Sequence, residues 1–282
     1  MSRFLNPREI SSRLQKNNLN YDFIYKKSTE STNADAKIIT GKNNLLIVAE
    51  TQTAGKGRYG RSFYSQTNNG LYFTIKINSF GVSGASGTPR PTINDINFFP
   101  IIAAVSVSQA VYSLCNIDLS IKWPNDLLYN KFDSGYKKIC GILTEASVSS
   151  VSSVSSVSSN SAQNISYIIV GIGLNVNNSI SDFPDNIKNT ASSLKIISNK
   201  KYDRAALLCE IVNNFTLLLN INHTQLLAEY KKRLLTDTNI SFTHNGEILK
   251  GKSVGINENG NLIARLENGE EITIQSGEIN FI

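Results

Sequence analysis

The chain is predicted to be an α+β protein in which a mixed sheet packs against helices, followed by a small β-barrel of SH3-like size. Three observations carry this. Helical and strand patterns intermix up to about residue 236, in the manner of a sheet facing helices. From about Ile240 the texture changes to short strands separated by Asn-Gly-type turns. The 282 residues are 40% AVILMFWYC, enough for a core in a chain long enough to bury about three quarters of its unfolded surface. Length predicts one large unit and a small one, placed at residues 1–236 and 237–282.

The elements follow in order. Asn6-Pro7-Arg8-Glu9 is an N-cap with Pro and Glu in the first turn, and Ile10 and Leu14 lie one turn apart, so a short helix starts here. Asn17 to Asn20 reads as a turn and Tyr21 to Tyr25 as a strand, which leaves no helix-turn-helix. Ser31, Thr32 and Asn33 open a second helix whose amino end can face a ligand. Leu45 to Glu50 is a buried strand, and Leu71, Phe73, Ile75 and Ile77 alternate with Tyr72, Thr74 and Lys76 as in a half-buried one. Phe98 to Leu114 is apolar at helical spacing. Leu119 to Trp123, Lys138 to Thr144 and Ile165 to Val176 read as strands, and Asp203 to Leu219 and Thr224 to Leu235 as helices. Two low-complexity stretches, about 79–93 and 147–163, read as solvated loop insertions; the second, a Val-Ser-Ser tandem, lengthens a hairpin connection.

Composition excludes several classes. The longest apolar run, Phe98 to Val105, is broken by Pro100, leads into polar positions and falls short of the ~20 residues of a membrane span. The amino terminus has no signal-peptide h-region, so a cytoplasmic location is expected. Cys115, Cys140 and Cys209 are far apart, odd in number and without CxxC, which argues against disulfides and zinc. A net charge of +6 and pI near 9.1 point to an anionic partner, nucleotide or nucleic acid.

The segment Gly55-Lys56-Gly57-Arg58-Tyr59-Gly60-Arg61-Ser62 matches GxGxxG and nearly matches the Walker pattern. Both patterns require a helix to start at the loop, whereas Phe63-Tyr64-Ser65 runs into a turn and another strand. What remains is physical: glycines that let backbone approach a ligand, and three cations on one short segment, which suit phosphate. A solvated basic hairpin, or a nucleic-acid patch with Tyr59, Phe63 and Tyr64 as stacking rings, is the alternative. Further on, Lys122-Trp123-Pro124-Asn125-Asp126 brings a cation, an amide and a carboxylate to one strand end.

Taken together, AETQTAGKGRYGRSFYS, KWPNDLL, KKICGILTE and VGIGLNVN, with a β-rich tail ending SGEINFI, closely resemble the biotin protein ligases, or biotin–[acetyl-CoA-carboxylase] ligases, over about Ser28 to Ile282. The resemblance is to the monofunctional type that lacks a winged helix. It implies a class II synthetase-like catalytic domain over 1–236 and an SH3-like barrel over 237–282. The reaction implied is activation of biotin by Mg-ATP to biotinyl-5′-AMP and pyrophosphate, then transfer to a lysine of a biotin carboxyl carrier protein. ATP and Mg²⁺ are the cofactors, with Mg²⁺ held mainly by phosphates and no metal site on the protein. No DNA or membrane partner is expected, and a homodimer stays open.

The resemblance also assigns roles. Lys138 bridges the biotin carboxylate and the α-phosphate, with Arg58 and Asp126 as further catalytic groups. Lys137 is the alternative to Lys138, since strand neighbours face opposite ways. Ser31, Thr32, Asn33, Gln52, Lys56, Gly57, Arg58, Lys138 and Gly141 match the biotin site; Arg58, Arg61, Phe63, Asn125 and Asn175 match the ATP site. Phe63 replaces the usual tryptophan, which lowers the stacking area for adenine. The glycine loop is expected to act as a lid. The rival readings are a lipoate or octanoate ligase of the related family and a non-enzymatic nucleic-acid-binding module.

Overall fold

A computed structural model describes residues 4–41, 43–78, 96–130, 135–150 and 163–282. Asn6 caps α1 (Pro7–Lys16) by accepting from the backbone N–H of Arg8 and Glu9, and Ile10 and Leu14 bury its inner face. The chain then runs β1 (Tyr21–Thr29), α2 (Thr32–Ile38), β2 (Asn44–Gln52), β3 (Leu71–Asn78) and α3 (Phe98–Cys115). After these come β4 (Ser120–Lys122), β5 (Asp126–Tyr129), β6 (Lys137–Ser150) and β7 (Gln163–Leu174). The sheet order is β1-β2-β3-β7-β6-β5-β4, with β1 and β2 parallel and the other neighbours antiparallel.

The expectation that β3 is half-buried is corrected: Leu71 to Ile77 are buried on both faces. Helices α3 and α5 (Arg204–Leu218) cover the face of Phe73 and Ile75, and α2 covers the face of Thr74 and Lys76. Lys76 tolerates burial because its Nζ donates to Ala36 O (2.9 Å) and Ile39 O (2.7 Å) at the end of α2 and lies 4.3 Å from the Tyr167 ring. The alternation was real, but its polar members meet a helix instead of water.

Pro100 does not break the apolar run. It occupies the first turn of α3, where no intrahelical bond needs its missing N–H. Among the described residues α3 is the one helix long and apolar enough to cross a membrane, and its apolar window is 67% buried within the core. It packs against α5 and α6 (His223–Lys231). Asp203, read from sequence as the first helical residue, is instead the N-cap of α5. A short α4 (Leu194–Ser198) and the strand β5 had no sequence signal strong enough to mark them.

The 79–93 insertion lies outside the described residues. The 147–163 stretch is a loop only in part: β6 and β7 continue into it, pairing Ser147 with Tyr167 and Ser150 with Gln163, and residues 151–162 lie outside the described set.

A second, five-stranded antiparallel sheet has the order β11-β10-β9-β8-β12, built from β8 (Thr238–His244), β9 (Glu247–Ile256), β10 (Leu262–Arg265), β11 (Glu271–Ile274) and β12 (Ile279–Phe281). Asn245 and Gly246, at φ 51° and 85°, form the left-handed turn that the Asn-Gly pair predicts. This sheet docks on the first. Ile121 in β4 exchanges backbone bonds with Arg233 and Leu235 just before β8, and Trp123 Nε1 donates to Gly260 O at 2.9 Å. That docking carries β12 to the mouth of the site.

Candidate active site

A cleft of about 910 Å³, including its open mouth, lies between the amino end of α2, the glycine loop, the β4–β5 turn and the start of β12. Every residue assigned from the sequence lines it except Asn175. Asn175 is buried behind the cleft, where its Nδ2 donates to Ser192 O at 3.0 Å and its backbone bonds Ile139 and Leu194. It positions the 190s segment.

The deep end is neutral and already hydrogen-bonded. Ser31 caps α2, which places Thr32 and Asn33 in its first turn. Gln52 Oε1 accepts from Thr32 N at 2.9 Å, and Gln52 Nε2 donates to Ser65 Oγ at 3.1 Å. Thr32 Oγ1 lies 2.8 Å from Thr74 Oγ1, which lies 2.7 Å from Asn33 Oδ1. Each hydroxyl has one proton: Thr32 donates its own to Gln52 Oε1 at 3.0 Å, and Thr74 shares its own between Thr32 Oγ1 and Asn33 Oδ1. Asn33 Nδ2 then donates to Glu145 Oε2 at 2.9 Å.

Glycines make the floor. A Cβ on Gly171 would stand 2.2 Å from Asn33 Oδ1, and one on Gly173 would stand 2.4 Å from the Phe63 ring. Phe63 therefore lies across β6 and β7, also within 3.1 Å of where a Gly141 Cβ would be, and it meets Tyr72 edge to face. The glycine loop is a closed hairpin: Phe63 N donates to Gly55 O (2.8 Å) and Gly57 N to Arg61 O (2.7 Å). Gly55 is required there, because a Cβ would sit 2.6 Å from both Phe63 O and Ser65 Oγ.

The mouth is cationic. Lys56, Arg58, Arg61, Lys122 and Lys138 line it, with Asp126 and Glu278 as the carboxylates. Lys138 Nζ sits 2.8 Å from Asp126 Oδ1, and Arg61 Nη1 sits 2.5 Å from Glu278 Oε1. The alternation of β6 settles which lysine faces the cleft: Lys137 Nζ points away and donates to Asn189 O. Asn125 donates from Nδ2 to Ile142 O at 2.6 Å, latching the β4–β5 turn to β6, while its Oδ1 accepts from Arg58 Nη1 at 3.4 Å. Burial holds the Lys122 ammonium below the usual lysine range against the pull of Asp126 and Glu278, and its Nζ lies 5.0 Å from the Phe281 ring.

Glu278, in the SGEINFI tail, carried no signal of its own; only the docking of the second sheet brings it to Arg61. Among the described residues no group of three or more His, Cys, Asp or Glu forms a metal site. The cleft's carboxylates each hold a cation already, a donor set suited to a hard ion that arrives with phosphate oxygens.

A biotin/lipoate A/B protein ligase family model matches residues 22–175, and a model of the biotin protein ligase C terminal domain matches residues 239–281. The bifunctional ligase/repressor BirA of Bacillus subtilis is 30% identical over 275 residues, which cover 94% of this chain and 76% of that protein. A biotin–[acetyl-CoA-carboxylase] ligase of Mycobacterium tuberculosis is 26% identical over 219 residues, 74% of this chain and 69% of that one. The solved biotin protein ligase from Aquifex aeolicus in complex with biotin and ATP is 27% identical, covers 93% of this chain and 98% of its own, and superposes with a TM-score of 0.72.

Proposed function

The chain belongs to the biotin/lipoate A/B protein ligase family, and on that premise we propose that it is an ATP-dependent biotin protein ligase. It activates biotin to biotinyl-5′-AMP and passes the biotinyl group to a lysine of a biotin carboxyl carrier protein. The observation that carries this reading is the junction of a neutral, pre-bonded polar pocket with a cationic mouth, at which Lys138 stands on its Asp126 support.

The first step brings two anions together. The biotin carboxylate oxygen attacks the α-phosphorus and pyrophosphate leaves, so cations already positioned at the cleft lower the barrier. Lys138 offsets the repulsion between carboxylate and α-phosphate, while Arg58, Arg61 and Lys56 meet the other phosphate oxygens. Gln52, Thr32 and Asn33 hold the neutral ring end, where unpaired buried polar groups would reject an analogue without matching donors. Phe63 supplies a stacking ring for the nucleotide base. If Mg²⁺ arrives with the nucleotide, Asp126 and Glu278 would be the side chains to hold it, and it would supply neutralisation of phosphate charge.

In the second step the acceptor lysine loses a proton, attacks the acyl carbon of the mixed anhydride and AMP leaves. Asp126 is the carboxylate at the site that can take that proton. The glycine loop is the lid that keeps water from the anhydride, and residues 1–236 and 237–282 are the catalytic and carboxy-terminal units.

The test is mass spectrometry of the chain with Mg-ATP and either biotin or lipoate, with and without a biotin carboxyl-carrier domain. A biotinyl-AMP peak that disappears as the carrier gains one biotin is expected. An adenylate from lipoate alone moves the reading to the sister activity within the family, and no adenylate from either overturns it.

A further inference from the structure

The cations of the cleft are not held alike. Lys138 and Arg61 each lie on a carboxylate, at 2.8 and 2.5 Å. Arg58 is held by neutral groups: Nη2 donates to Tyr59 Oη at 3.1 Å, Nη1 to Asn125 Oδ1 at 3.4 Å, and the guanidinium carbon lies 5.0 Å from the Tyr59 ring centre. A neutral tether fixes the rotamer without cancelling the charge, so Arg58 presents its full charge to an incoming phosphate. Arg61 must first give up or share Glu278.

Tyr59 is costly to place there. Its φ and ψ, 54° and 37°, lie in the left-handed region, where a bulky aromatic residue is a strained exception. Its side chain is 63% exposed, so core packing does not offset that strain. Nor does the loop need an aromatic residue to turn, since Gly60 beside it also has positive φ, with open space around it. Glycine at position 59 would turn at lower cost. What the tyrosine adds is its contact with Arg58.

We propose that Tyr59 is a positioning residue for nucleotide binding, acting through Arg58: it holds the guanidinium over the cleft, with no carboxylate paired to it among the described residues, before the triphosphate arrives. The proposal rests on the ligase reading above. Ordering a long side chain in advance spares the ligand that entropy, which corresponds to about three- to tenfold in affinity.

The experiment is calorimetric titration of Mg-ATP into the full, biotin-free chain, with thermal melting of each variant. Tyr59→Gly relieves the left-handed strain, so its melting temperature is expected not to fall, while Mg-ATP binding weakens about three- to tenfold. Tyr59→Phe keeps the ring and loses the hydroxyl, and takes an intermediate value. In an Arg58→Ala background Tyr59→Gly causes no further loss, because the two act as one unit. Unchanged affinity in Tyr59→Gly, or a loss that persists in the Arg58→Ala background, overturns the proposal and leaves the ligase reading standing. A wild-type chain that binds no Mg-ATP without biotin overturns the proposal, while the adenylate assay decides the ligase reading separately. A fall in melting temperature that tracks the loss in affinity assigns Tyr59 a merely structural role.

Discussion

Gly171→Ala tests whether the floor of the cleft is built as described. The new methyl carbon would lie 2.2 Å from Asn33 Oδ1, 2.8 Å from its Cγ and 2.9 Å from its Nδ2. The strand cannot retreat, because Gly171 sits mid-sheet, paired with Thr74 on one side and Leu143 on the other. Asn33 must therefore swing away, although it is buried and bonded to Thr74 at 2.7 Å and to Glu145 at 2.9 Å. The neutral bond contributes about 1 kcal/mol and the bond to a carboxylate about 1.5–3 kcal/mol. Removing a glycine from a strand interior returns about 0.5–1 kcal/mol. The net destabilisation is about 1.5–3.5 kcal/mol, read as a lower urea midpoint at unchanged slope. Asn33 belongs to the proposed ring-binding set, so biotin affinity falls with it. Stability within about 0.5 kcal/mol of wild type, together with unchanged biotin binding, would refute this account of the floor.

Other outcomes follow from the same geometry. Lys138→Ala should slow biotin-dependent pyrophosphate release by about 10²–10³-fold or more, as for loss of a charge-stabilising group, whereas Lys137→Ala, which turns away from the cleft, should stay near wild type. Arg204→Met should cost about 3–5 kcal/mol in chemical denaturation, because it strands buried Glu50, which Arg204 meets at 2.8 Å while also donating to Gly70 O. Burial lowers the folded-state pKa of Lys76 below the ordinary lysine value of 10.5, so between the two values the unfolded chain binds more protons and stability should rise with pH. Lys76→Met should shrink that rise in melts taken at pH 8 to 10.5, with the part due to Lys122, lowered by the same cause, remaining.

Much of the fold was legible because its signals are local. Asn6, Ser31 and Asp203 cap helices wherever the rest of the chain goes, since each bonds backbone two or three residues away. Asn245-Gly246 turns because only a few residues accept positive φ. The residues assigned to the site lie in five short segments, 31–33 and the four whose order resembles one family, and the cleft gathers all of those assigned except Asn175.

The remainder depended on contacts between residues far apart in sequence. Alternation along β3 could not say that α2 would cover its polar side, because Lys76 finds its partners about 40 residues upstream. Adjacent lysines 137 and 138 are equivalent as letters; the register of β6 against β5 and the 190s segment separates them. Asn175 resembles a nucleotide contact by position, and only the fold shows that its Nδ2 donates to Ser192 O. The glycines of VGIGLN signalled close approach without naming what approaches, which proves to be Asn33 and Phe63. Glu278, 217 residues beyond Arg61, enters the cleft only because the second sheet docks through Trp123 and Ile121. The sequence by itself determined the elements, the turns and the chemistry the chain can bring to a site. Tertiary structure alone decided which of those groups face each other, because a side chain's direction and partner depend on strand register and docking and not on the residues beside it.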